Sequence, residues 1–199
     1  MEGQNKREAQ RLQRRQQILE CALDRIVEGG FTAMRIRDIA EKLGISTGLF
    51  FNYFESKEQV YEELVKIGLS GPRMVMGLND GGLQPIGLFE KMAETILDAL
   101  QRDAFTGKVF LLMAHATRSS DAPEGVKALL RDFDPVSPLV DVVRNGQALG
   151  QIKRGDPAAL LAAYWGAVQG IAENYAVSGG FPCPEASWIA DILRARPEA

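Results

Sequence analysis

The chain has 199 residues, 46% of them hydrophobic and 25% charged, with a formal net charge of −3. A globular chain of this size buries roughly 70% of its unfolded surface, which allows one to two compact units and excludes a disordered protein. No stretch approaches the roughly 18 apolar residues of a membrane-spanning helix, the N-terminus is polar, and two cysteines make no disulfide framework, so a reduced, cytoplasmic setting without a membrane partner is expected.

The negative charge argues at first against a nucleic-acid partner, because a protein that neutralises phosphates is basic where it touches them. Its distribution answers that objection. Residues 1–60 carry ten Lys/Arg against nine Asp/Glu, whereas the remainder carries thirteen against seventeen. Lys6, Arg7, Arg11, Arg14 and Arg15 face only Glu2 and Glu8 at the N-terminus. A solvated helix face is the plainer reading of that cluster.

Period-2 runs are absent and 3.6-residue patterns punctuated by Gly, Pro and Asp recur, which predicts an all-α chain. A first helix from near Lys6 to Glu28 turns Leu19, Leu23, Ile26 and Val27 inward; Gly29-Gly30 stops it, and Phe31 is expected to plug a small core. Ile36, Ile39, Ala40 and Leu43 share the face of a second helix that ends at Gly44. Ser46 suits the N-cap of a third helix of about Thr47 to Tyr53, and Ser56 that of a fourth. The fourth is expected to kink or stop at Gly71-Pro72, before a loop at Asn79-Asp80-Gly81-Gly82. Further helical patterns cover about 85–102, 104–118, 123–132, 137–148, 156–178 and 185–195, with Asp156-Pro157 a strong start signal.

The pair of short patterns joined at Gly44 reads as a helix-turn-helix. In that motif the second helix enters the major groove and the first crosses the backbone, so side chains divide by face. Ile45, Phe50 and Phe54 have the spacing of the packing face, leaving Thr47, Gly48, Leu49, Asn52 and Tyr53 outward. The hydroxyls of Thr47 and Tyr53 suit phosphate oxygens, Asn52 a phosphate or base edge, and Leu49 a thymine methyl, while Gly48 lets backbone approach. Ser46, Phe51 and Arg37 complete the candidate DNA-binding set with Lys57 in the first turn of the fourth helix, and the N-terminal arginines flank it.

The chain resembles the TetR family of transcriptional regulators through Gly30-Phe31, Ile36-Arg37-Asp38-Ile39-Ala40, Gly44-Ile45-Ser46-Thr47-Gly48, Asn52-Tyr53-Phe54 and Ser56-Lys57-Glu58. The resemblance covers about residues 10 to 65. It implies a three-helix DNA-binding domain, taken as residues 1–55, on a six-helix regulatory and dimerisation domain, residues 56–199. It also implies a homodimer built mainly from the last two long helices and an imperfectly palindromic double-stranded operator. Leu49, Phe51 and Met34 depart from the family pattern, which commonly has threonine, tyrosine and threonine there; at Phe51 the departure removes an expected phosphate-binding hydroxyl.

The remaining chain must supply dimerisation, sensing or both. Glycine within a helix costs about 1 kcal/mol relative to alanine, so Gly166 and Gly170, on a face with Ala159, Ala162 and Ala163, suggest close approach of another backbone, from a second subunit or from the same one. The candidate dimer interface is Ala163, Gly166, Ala167 and Gly170 with Trp188 and Ile192. Phe89, Met92, Phe110, Met113, Trp165 and Tyr175 are core residues or the lining of an adaptable apolar pocket, where His115, Arg118, Gln169 and Asn174 would orient a small apolar or amphipathic effector. No hydrolase elbow, phosphate loop or dinucleotide fingerprint occurs, and one histidine cannot build a multi-histidine metal centre, so neither catalysis nor a metal or cofactor is expected. The reading is thus a ligand-responsive repressor; a helical DNA-binding or interaction protein without a ligand is the alternative.

Overall fold

Helices form where the apolar spacing predicts them, in a computed structural model that describes residues 2–76, 82–120, 122–178 and 181–196. In chain order the elements are α1 (Glu2–Ala33), α2 (Ile36–Lys42), α3 (Thr47–Phe50), α4 (Lys57–Met76), α5 (Pro85–Arg102), α6 (Ala104–Arg118), α7 (Glu124–Leu130), α8 (Ser137–Ala148), α9 (Pro157–Ser178) and α10 (Ala186–Ala190). Among the described residues the only extended pairing is one antiparallel bridge between Ile152 and Arg194. No helix of the described residues is long and apolar enough to cross a membrane.

The chain divides into two units, Met1–Gly68 with Leu111–Arg131, and Leu69–Phe110 with Asp132–Ala199. The first therefore includes more than residues 1–55. In it, Ile18, Leu19, Ala22, Leu23 and Ile26 of α1 are buried, as are Ile39 and Ala40 of α2 and Val60, Tyr61, Leu64 and Val65 of α4. Regular helical dihedrals break at Gly29-Gly30, where Gly30 adopts φ +75, a left-handed conformation that disfavours any residue with a Cβ. Beyond that turn Phe31 is only half-buried, stacked on Tyr61 at 5.2 Å between ring centroids. The plug of the core is instead Met34, fully buried three residues on. Its departure from the family pattern thus places an apolar side chain inside, while Arg35 stands at the N-cap of α2 without a side-chain cap bond.

The second unit packs Leu88, Phe89, Met92 and Ile96 of α5 against Leu139 and Val143 of α8, Leu161, Tyr164 and Val168 of α9, and Ile189 and Leu193. The Tyr164 hydroxyl donates to the Phe89 carbonyl at 2.7 Å inside this core. Burial raises that phenol far above its ordinary range. Gly107 permits a close helix approach: a Cβ there would stand 3.0 Å from the Ala172 carbonyl oxygen and 3.1 Å from the Ala176 nitrogen.

Two expected boundaries are corrected. α4 runs through Pro72 to Met76. The residue before a proline is normally pushed out of the helical region by a clash involving its own Cβ, and Gly71 has none. The final helix is short, Ala186–Ala190, because the chain then turns so that Leu193 accepts from Lys153 N–H and Ala195 donates to Gln151, both at 2.9 Å. The loop expected at Asn79–Gly81 lies outside the described residues.

Candidate nucleic-acid interface

The turn between α2 and α3 is set by local chemistry. Gly44 takes φ +62, and Ile45 N–H closes onto the Ala40 carbonyl at 2.9 Å. Ser46 then caps α3, its Oγ accepting the Leu49 amide at 3.1 Å. The regular helix is shorter than the expected Thr47 to Tyr53, but winding continues in tighter turns: Asn52 N–H reaches Leu49 O at 3.1 Å and Tyr53 N–H reaches Phe50 O at 2.9 Å. That continuation preserves the division of faces.

Phe50 and Phe54 are buried, their rings 6.0 Å apart, and Ile45 is half-buried. Ser46, Thr47, Gly48, Leu49, Phe51 and Asn52 are exposed, Tyr53 is half-buried, and Arg37 stands exposed on α2. Gly48 meets nothing that its own fold requires, since a Cβ there would only touch Ser46 Oγ at 3.8 Å. Phe51 leaves 52% of its surface in solvent and meets Phe50 edge-on at 5.6 Å. A large apolar ring on the outward face is costly to leave in water, and it stands where a hydroxyl would have suited a phosphate.

Neighbouring helices hold this surface in place. The Arg15 guanidinium makes a two-point ion pair with Glu63 of α4 and lies 4.7 Å above the Phe54 ring, tying α1 to both α4 and the segment after α3. Lys42 pairs with Asp24 of α1 at 3.0 Å. Ser56 caps α4 through the Gln59 amide at 3.2 Å, while Gln59 Oε1 accepts from Glu55 N–H at 2.6 Å. Lys57 is not freely extended: its Nζ sits 4.2 Å from the centre of the Phe31 ring. An open groove of about 760 Å³ runs beside α3, with Leu49, Asn52 and Tyr53 on one wall and Arg7, Gln10, Arg11, Gln13, Arg14 and Gln17 of α1 on the other. The glutamines were not singled out in sequence, although Gln10 and Gln17 fall at helical spacing beside the arginines.

The other candidate residues fall in different places. Phe89 and Met92 are fully buried, and Phe110, Trp165 and Tyr175 pack half-buried against the same core of the second unit. Gln169 donates to the Phe110 carbonyl at 3.3 Å and to Glu173 at 2.9 Å. Met113 and His115 belong instead to the first unit; Met113 is buried, whereas His115 and Arg118 are exposed near the end of α6. Asn174 is exposed and folds back on the Gly170 carbonyl at 2.7 Å. Asn174 therefore does not line the apolar interior around Phe89 and Met92 within the second unit. On α9, Ala159, Ala163 and Gly166 are exposed, Ala167 and Gly170 half-buried, and the buried Leu161, Tyr164, Val168 and Ala172 lie on the opposite side. Trp188 is 61% exposed, while Ile192 packs half-buried against the core.

Comparison with known proteins places this geometry. The sequence model of bacterial regulatory proteins of the tetR family matches residues 18–64, the segment from mid-α1 into α4. The solved structure of a TetR-like transcriptional regulator from Rhodococcus sp. RHA1 superposes with a TM-score of 0.68 at 20% identity, covering 89% of this chain and 91% of the other. This chain carries the TetR-family DNA-binding segment at residues 18–64. It is a DNA-binding transcription regulator, and TetR-family regulators are not enzymes. A relative described as the HTH-type transcriptional repressor KstR2, from Mycolicibacterium smegmatis, is 27% identical over 70% of this chain and 68% of its own length. The structure of AibR in complex with isovaleryl coenzyme A and operator DNA has a TM-score of 0.65 at 19% identity, covering 89% of this chain and 94% of that one. The TetR-family match begins at residue 18, so the first half of α1, with its arginines and glutamines, precedes it.

Proposed function

We propose that this TetR-family regulator is a cytoplasmic homodimeric repressor that occupies a palindromic operator and is released by a small apolar or amphipathic molecule. Its reading surface is Arg37, Ser46, Thr47, Gly48, Leu49, Phe51, Asn52, Tyr53 and Lys57, with DNA-binding carried by residues 1–55 and sensing and dimerisation by residues 56–199. The observation that carries the reading is the exposure of Thr47, Gly48, Leu49 and Asn52 beside the fully buried Phe50 and Phe54. A short helix seated by one buried face, with its other face open to solvent, is what major-groove readout requires.

Lys57 and Tyr53 act on phosphates in different ways, and their variants separate the two. Lys57→Gln is expected to weaken binding evenly across sequences and to reduce the slope of log affinity against log salt by about 0.9, because one counterion fewer is released. Tyr53→Phe loses a hydroxyl hydrogen bond, about tenfold in affinity, with the slope unchanged. Fluorescence anisotropy on duplexes enriched from a random-sequence pool, at several salt concentrations, reads both. Unchanged affinity in both variants would remove them from the interface.

The effector reading is supported by two features. AibR, similar in fold, was solved with an acyl thioester and its operator. In this chain the Trp165 indole Nε1 is buried without a hydrogen-bond partner among the described residues, a donor that a ligand carbonyl or thioester oxygen would satisfy. Phe89, Met92, Phe110, Gln169 and Tyr175 are the accompanying lining. An effector must bind the DNA-incompetent state about 10⁴-fold more tightly for a full switch. A panel of acyl coenzyme A thioesters, isovaleryl first, is expected to include one that stabilises the protein by about 2.7 kcal/mol at a hundredfold excess over its Kd and that displaces bound duplex. A ligand-independent regulator would show neither effect across acyl thioesters, free acids and sterol-like amphipaths.

A further inference from the structure

We infer that the first half of α1 is a second DNA-contacting element, which grips the phosphate backbone beside the helix-turn-helix through Arg7, Arg11 and Arg14. The inference rests on the DNA-reading role of α3 and extends the protein's footprint beyond it. At 100° per residue the three arginines fall within about 60° of one another on one side of α1. That side shares the open groove with Leu49, Asn52 and Tyr53. A nucleic-acid strand in contact with Tyr53 therefore passes directly along the arginines.

The charges there are free to act. Arg15 is committed to Glu63 and to the face of Phe54, which fixes α1 in place. Among the described residues Arg7, Arg11 and Arg14 have no carboxylate partner; Arg7 and Arg11 are exposed and Arg14 half-buried. Seven residues of helix cover about 10 Å, the length over which one strand of B-DNA presents about three phosphates. Gln10 and Gln17 add uncharged donors in the same groove, suited to sugar or phosphate oxygens.

A lipid surface is the competing occupant of a basic helix, and the composition argues against it. Interfacial helices need a contiguous face of large apolar side chains opposite the charges. Between residues 6 and 17 the one large apolar side chain is Leu12, 63% exposed. Duplex DNA needs only the charge and the spacing.

The test uses full-length wild type and the triple variant Arg7→Gln, Arg11→Gln, Arg14→Gln, whose replacements keep helix propensity, on duplexes enriched by the wild type from a random pool. Loss of three phosphate contacts is expected to lower the salt slope by about 2.7, so that between 50 and 200 mM salt the wild type loses about 40-fold more affinity than the variant. Hydroxyl-radical footprints of the variant should keep the inner protection and lose the outermost protected sugars. The corresponding triple Lys variant should retain the slope. Inner protection with slope and outer protection unchanged in the triple Gln variant overturns this inference alone. Absence of any protected region with wild type overturns the DNA reading of α3 together with it. Wild-type binding to phosphatidylglycerol vesicles that the Gln variant loses, with an unchanged DNA slope, assigns the patch to lipid and overturns the proposal.

Discussion

Phe50→Ala is expected to abolish DNA binding by destabilising the unit that carries it, at a cost of roughly 3–5 kcal/mol, while leaving every outward side chain in the sequence. Phe50 is fully buried and its ring contacts both Phe51 and Phe54. Truncating such a ring removes its transfer free energy and leaves a cavity that a short helix cannot close by shifting, because Ser46 and the turn at Gly44 fix where it starts. Domains as a whole are stable by only about 5–15 kcal/mol. A loss of this size therefore lowers the melting transition of a unit of this length by at least about 10 °C. Phe51→Ala supplies the contrast. That ring is half in solvent and meets its neighbour only edge-on, so its removal should cost under about 1 kcal/mol and leave the unit folded. Calorimetry and anisotropy on the two variants decide the matter: equal melting temperatures would mean that 50 and 51 do not divide into a seated and an outward face.

That division was legible in the sequence because it depends on period alone. Phe50 and Phe54 are one helical turn apart, Ser46 is three residues before the amide it caps, and Gly44 stands where φ must turn positive. Local rules of the same kind predict α5, α6, α8 and the Asp156 cap of α9, whose Oδ1 accepts the Ala159 amide at 2.8 Å. The misses share a different cause. Phe31 gives way to Met34 because the chain direction after Gly30 decides which of them points inward. α10 ends early because its following residues bond to a segment some forty residues earlier. Gly107 carries no signal in the sequence because the backbone it accommodates lies on α9, remote along the chain. His115 shares its helical segment with apolar residues, whereas its exposure depends on what packs against each side of α6. Each of these turns on tertiary contact, which periodicity does not encode. The same limit applies to the groove beside α3: the N-terminal arginines are visible as a charge cluster, but that they share a wall with Asn52 and Tyr53 is a property of the folded unit alone.

Leucine at both Gly166 and Gly170 is expected to leave each protomer folded and to separate the dimer, with loss of operator affinity of about 10²- to 10⁴-fold. Among the described residues neither glycine is needed for packing: a Cβ at either position would meet nothing within 4 Å. Since glycine costs a helix about 1 kcal/mol relative to alanine, its presence twice on the side of α9 facing away from Leu161, Tyr164, Val168 and Ala172 is not accounted for by contacts among the described residues. In the proposed homodimer the same face of a second copy would approach here, with Ala163 and Ala167 flanking the contact and Trp188 on α10 and Ile192 just beyond it supplying the apolar part. A two-fold axis there is isologous, so each substitution acts twice, and four isobutyl groups would stand where two backbones meet. Within the protomer the same leucines replace poor helix formers and should not lower its helicity. The operator effect follows from valency, because a separated protomer binds one half-site without the effective concentration that the second module supplies. Sedimentation equilibrium with circular dichroism reads the first two effects and anisotropy the third. A double variant that remains dimeric would move the interface off α9, and one that loses its helicity would show that the two glycines serve the protomer after all.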